Sequence, residues 1–313
     1  MKTSFQKTLI AASVGVAMFA AVGTASANSL LFPYFTTNSG AQSALSISSN
    51  GNVTATGENL HYVYNYGPAC THFDGLGKVT PNDLLQHSVA APAAGGFGKA
   101  VGADASTPFY FPLANNTGFL VVTNTSLPGV ASISGDMAIV DPSTGLVGSY
   151  AGLSNASVTE GDFSAAAFQD QKFNLSAYSA SIVDTSWFGL VTGNMNAAIT
   201  GNRNWDATAL VSNNGVVYDN DEKPFSGTVT KKISCAGSMV PTDLLTSAQA
   251  AAVGSNGGLI HATATFPPIS AVAPIQQDLG TGLVLSKLQF VKPAVGAPFA
   301  GKMFIHRENG AAF

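Results

Sequence analysis

Cys70-Thr71-His72-Phe73-Asp74 places a thiol, an imidazole and a carboxylate in one short stretch, the residue types that make a nucleophile, a general base and its orienting acid. Adjacency in sequence is not a triad, however, and a cysteine in an oxidising compartment is more readily spent on a disulfide. No G-x-S-x-G elbow stands elsewhere in the chain. The five histidines, His61, His72, His87, His261 and His306, show no H-E-x-x-H or other metal-binding interval and read as strand or surface residues. With only Cys70 and Cys235 and no C-x-x-C, zinc, haem and iron–sulfur chemistry are poorly served, and no cofactor is implied.

Two other groups have suggestive chemistry. Trp205 stands in a polar segment with Asn204 and Asp206, where a flat ring and hydrogen-bonding neighbours could hold a sugar. Core packing is the simpler role for Trp187, Trp205 and Tyr218 alike. Tyr218-Asp219-Asn220-Asp221-Glu222 is the densest acidic cluster, and Asp219, Asp221 and Glu222 could offer hard oxygen ligands to Ca²⁺. It lacks the EF-hand spacing, so a solvated hairpin tip before Lys223-Pro224 is the plainer expectation. Nothing singles out a pair of carboxylates for glycoside hydrolysis. The chain therefore reads as non-enzymatic.

The compartment follows from the first residues. Lys2 and Lys7 form a positive n-region, Leu9 to Val22 is almost wholly apolar, and Ala25-Ser26-Ala27 has the A-x-A pattern of a signal-peptidase site. That apolar run is shorter than the roughly 20 residues a membrane-spanning helix needs. Residues 1–27 are expected to be a cleaved leader, leaving a secreted, extracellular or cell-surface protein. No later run is long enough for a transmembrane helix. Taking Lys2 and Lys7 from the 13 basic residues leaves 11 against 17 acidic ones, a net charge of −6 that disfavours nucleic acid as a partner. Only 10% of residues are charged, so the surface must be wetted by the hydroxyls and amides of Ser, Thr and Asn. The two cysteines are expected to pair, closing a very long loop.

Positioning these residues falls to strands. Period-two patterning bounded by Gly, Asn and Pro recurs at 44–47, 60–66, 118–123, 137–140, 207–212, 228–233 and 283–291. Ser49-Asn50-Gly51, Asn213-Asn214-Gly215 and 141–145 read as turns. Pro81-Asn82-Asp83-Leu84-Leu85 and Pro241-Thr242-Asp243-Leu244-Leu245 read as matching helix starts, each after a strand and a cysteine, and suggest two related halves. The fold class expected is all-β, mainly antiparallel, as one or two β-sandwich-like modules with a few short helices. The division expected is an N-terminal β module over 28–153, a linker or short helix over 154–181, and a C-terminal β module over 182–313.

This pattern points to a structural or adhesive protein of the bacterial cell surface or extracellular matrix, with itself or surface components as partners. Leu30, Leu31, Phe32, Tyr34 and Phe35, close behind a free N-terminus, could be donated to another subunit's sheet in a filament, or could pack in their own core. A carbohydrate-binding or carbohydrate-active module is the first alternative. An outer-membrane β-barrel ending at Phe313 is the second, although Arg307 would then face lipid.

Overall fold

The computed structural model describes residues 27–311 apart from 39–40, 55–56, 97–108, 142–145, 156, 201–204, 268–280, 293–301 and 309. Of the expected leader only Ala27 is among them. It pairs with Ile133 through reciprocal backbone hydrogen bonds of 2.7 and 2.9 Å. The expected turn over 142–145 lies outside the described residues, as do Asn204 and Phe313.

Among the described residues, eighteen strands form four antiparallel sheets. The first runs β5 (Leu84–Ser88), β2 (Gln42–Ser49), β7 (Ile133–Asp141), β8 (Leu146–Ala151). The second runs β4 (Thr71–Val79), β3 (Glu58–Tyr66), β6 (Thr117–Asn124), β1 (Ser29–Thr36), β9 (Leu153–Asn155). The third runs β15 (Ala236–Met239), β11 (Val183–Thr192), β17 (Gly282–Val291), β18 (Lys302–Glu308). The fourth runs β10 (Lys172–Ala177), β16 (Gly258–Thr265), β12 (Thr208–Asp219), β13 (Pro224–Ser226), with β14 (Thr230–Ser234) also paired to β12.

Side-chain alternation packs these sheets around two apolar cores. Leu30, Phe32, Tyr62, Tyr64, Leu120 and Val122 of the second sheet join Leu45, Ile47, Met137 and Ile139 of the first in one core. The intervening residues Leu31, Val63, Phe119 and Val121 point the other way, into a core with Trp187, Leu190 and Leu285 of the third sheet and Phe173, Val211 and Ile260 of the fourth. A strand covered on both faces cannot alternate apolar with polar, which is why β1 and β6 are near-continuous apolar runs. The outer strand β2, by contrast, buries Leu45 and Ile47 and leaves Ala44, Ser46 and Ser48 half-buried. The strands form four open sheets rather than one closed one, and Arg307 pairs with Asp170 at 3.1 Å. The fold is all-β and sandwich-like.

Two short helices, α1 (Asn196–Thr200) and α2 (Ser247–Asn256), complete it. Thr246 and Gln249 form a capping box that starts α2, with bonds of 3.4 and 2.8 Å. Of the two P-x-D-L-L segments only the second starts a helix, a single 3₁₀ turn with Pro241 and Asp243 in the expected places, whereas the first does not. Each is a tight turn in which the aspartate accepts from the backbone N–H three residues earlier: Thr80 to Asp83 Oδ2 at 3.0 Å, and Val240 to Asp243 Oδ2 at 2.9 Å. The first runs directly into β5, because Leu85 must alternate inward from that turn. The second makes one 3₁₀ turn over Pro241–Asp243. Asn213-Asn214-Gly215 is a bulge inside β12, not a hairpin turn, with Gly215 at φ +85 and its N–H donated to Asn213 Oδ1. The 154–181 stretch, expected as a linker or short helix, holds a single 3₁₀ turn over Ala166–Phe168 and the whole of β10.

Candidate functional site

The suggestive Cys-His-Asp stretch is taken apart by the fold. Cys70, in the turn between β3 and β4, is bonded to Cys235, in the turn between β14 and β15, with Cα atoms 6.0 Å apart. Both cysteines hold positive φ, 50° and 59°, at the tips of their turns. No thiol remains to act as a nucleophile.

Asp74 is engaged by a histidine that sequence proximity did not indicate. His61 on β3 and Asp74 on β4 are diagonal neighbours on one sheet face, and His61 Nε2 lies 3.0 Å from Asp74 Oδ2. Its Nδ1 lies 2.6 Å from Glu160 Oε1, which comes from the loop after β9. A ring that donates from both nitrogens is an imidazolium. Burial pushes His61 down, but the bonds and charges of Glu160 and Asp74 outweigh it and hold the group above its ordinary 6.5. Burial likewise acts to raise Asp74, yet the His61 bond and the nearby His72 hold it below 3.8. His72 Nε2 is 3.6 Å from the same carboxylate. Held by a carboxylate at each nitrogen, His61 ties the Glu160 loop to the sheet. His87 is buried against Tyr62 and Tyr110, and burial holds it down at about 4.

The other expected sites take structural positions. Trp205 is 3% exposed and donates its indole N–H to the Val191 carbonyl at 2.7 Å, so its ring has no face to offer a sugar. Asp206 beside it is exposed, and Asn204 lies outside the described residues. Asp219 is buried at the β12–β13 hairpin tip, where Oδ1 accepts from the Asp221 and Lys223 N–H groups at 3.0 and 2.9 Å. Asp221 and Glu222 point outward, and among the described residues no cluster of three or more His, Cys, Asp or Glu is arranged to hold a metal ion. Leu30, Leu31, Phe32, Tyr34 and Phe35 lie in β1, hydrogen-bonded between β6 and β9 of their own chain.

A cleft lies where β10, β12, α2 and β16 converge, and residues of the Tyr218–Glu222 cluster form part of its wall. It encloses about 640 Å³, lined by Tyr178 and Tyr218 with Ser176, Asn220, Glu222 and Asn256. Gly257 makes this convergence: at φ +81 it turns the chain from α2 into β16, and a Cβ there would stand 2.9 Å from the Ala177 carbonyl oxygen. Tyr178 is 58% exposed, Ile182 60% and Tyr218 37%, so large apolar surfaces stay in solvent at one place. On the other side of Tyr178 a second cleft of about 400 Å³ is lined by Val183, Val240, Pro241 and Leu245. Tyr178 is the last aromatic of a 154–181 stretch that also holds Phe163, Phe168 and Phe173, and nothing in its spacing marked it out among them. No family model, curated protein or solved structure matches this chain.

Proposed function

We propose that this chain is an exported, non-enzymatic protein of the bacterial cell surface or extracellular matrix, with a structural or adhesive role. The observation that carries this reading is the Cys70–Cys235 disulfide, which joins the β3–β4 turn to the link between β14 and β15 across 165 residues. Such a bond persists where thiols are not kept reduced. The leader-like first residues and the sparse charge support the same compartment. The engagement of Cys70, His61 and Asp74 in internal bonds supports a role without catalysis. Homo-polymerisation by strand addition belongs to the same proposal, but it would need β1 to leave its own sheet and be exchanged between copies.

The test is to express the full chain with its own first residues, fractionate the cells, and map peptides without reduction. Recovery outside the cytoplasm with Cys70 and Cys235 peptides linked is the expected result. Cytoplasmic retention with both thiols free would overturn the proposal, and electron microscopy of the recovered material separates polymers from single molecules.

A further inference from the structure

We infer that the cleft between Tyr178 and Tyr218 binds a neutral polysaccharide. The inference narrows the adhesive reading above and rests on it for its biological setting, but the binding itself is a property of the isolated protein. A saccharide ring presents a flat patch of C–H groups and a rim of hydroxyls. Its recognition therefore calls for exposed aromatic faces beside amides, hydroxyls and carboxylates that accept and donate hydrogen bonds. Both are present: two tyrosines in solvent contact, with Ser176, Asn220, Asn256 and Glu222 in the same walls. A tyrosine loses little conformational freedom on binding, which suits a preformed site.

Charge narrows the ligand. No lysine or arginine lines the cleft, and its acidic side chains are Asp219, spent on the hairpin tip, and Glu222, exposed at the rim. The cation behind the wall, Lys287, is buried and already engaged by Ser176 Oγ at 2.7 Å and Glu308 at 3.4 Å, so polyanions such as nucleic acid, phosphorylated chains or uronate polymers would meet a carboxylate and no exposed cation. The openness to solvent on both sides of Tyr178, with the second cleft continuing beyond it, suits a chain that passes through rather than a small molecule that is enclosed. Trp205, whose ring is buried, has no part in it.

The test is affinity electrophoresis of the folded, disulfide-bonded protein in native gels cast with hydroxyethyl cellulose, xyloglucan, galactomannan or dextran, and with alginate as the anionic control. Retardation in at least one neutral gel and none in alginate is expected. Tyr178→Ala and Tyr218→Ala should each weaken the retardation roughly tenfold, the worth of one lost aromatic contact of about 1.4 kcal/mol. Tyr178→Phe should retain it, because the ring face is kept. Both tyrosines are solvent-exposed, so unchanged thermal unfolding of the variants will show that the loss is local. No retardation in any neutral gel, preference for alginate, or retardation indifferent to the double Tyr178→Ala/Tyr218→Ala variant would each overturn the inference. So would sedimentation showing that Tyr178→Ala dissociates an oligomer, since the occupant would then be a second copy. A failure in these gels leaves export and the disulfide untouched, and those are read by fractionation.

Discussion

Protonation of His61 ties β3 to the Glu160 loop, and the tie has a direction in pH. Because the folded-state value lies above the ordinary 6.5, its contribution is fully present below that pH and is lost as pH rises through the folded value. Asp74, held below its ordinary 3.8, contributes above that value and fails only in stronger acid. His87 acts in the opposite sense. Held neutral down to about 4, it contributes above pH 6.5 and its share, on the order of 3 kcal/mol, is lost as pH falls from 6.5 towards 4. Denaturant midpoints measured across pH should therefore fall on both sides. His61→Gln is expected to flatten the loss above pH 6.5, and His87→Phe the loss below it; an unchanged alkaline limb in His61→Gln would refute the clamp. A second residue pair carries a larger penalty. Lys287, 3% exposed, bonds Ser176 Oγ at 2.7 Å and lies 3.4 Å from Glu308, which also accepts from Trp187 Nε1 at 3.2 Å. Lys287→Met leaves that carboxylate without its counter-charge and should cost about 3–5 kcal/mol, with Lys287→Met/Glu308→Leu recovering most of the loss in urea unfolding. Little of this was legible in the sequence. His61 and Glu160 are 99 residues apart, and the polar neighbours of Trp205 gave no hint that its ring turns inward to the Val191 carbonyl.

Strands were far more readable than the links between them. The expected period-two segments placed β2, β3, β6, β7, β14 and β17 to within about four residues at either end, whereas β12 runs on to Asp219, well beyond the expected end at 212. Lys172-Phe-Asn-Leu-Ser-Ala177 obeys the same rule, burying Phe173, Leu175 and Ala177, but its Ser- and Ala-rich surroundings disguised it as a connection. The first P-x-D-L-L segment misled for a different reason. Proline followed by aspartate fits the first turn of a helix and fits a capped tight turn equally well, and only the strand waiting after Asp83 decides between them. The likeness of the two turns is nevertheless real, and it predicts parallel behaviour. Asp83→Ala and Asp243→Ala should each destabilise by about 1–2 kcal/mol, the first more, since Asp83 is buried and also accepts from Thr80 Oγ1 and the Leu84 N–H. Chemical denaturation of the two variants compares them directly.

At the level of the whole molecule, the disulfide joins a turn of the second sheet to the link between the fourth and third sheets and closes a loop of 165 residues. In the chain-entropy account such a closure is worth up to about 5 kcal/mol, so Cys70→Ala/Cys235→Ala should unfold at markedly lower denaturant, by roughly 2–5 kcal/mol. Hydrogen exchange should rank the layers as well. Amides of β1, β6 and β11, covered on both faces, are expected to be the last to exchange, and those of β13 and β15 among the first.

The second sheet, buried on both faces, also makes the gene product close to indivisible. A translation product halted near residue 153 would keep the first core but lay bare Leu31, Val63, Phe119 and Val121 as an adhesive flank, an invitation to clumping and to quality-control proteases. Frameshifts late in the reading frame should therefore yield almost no usable material.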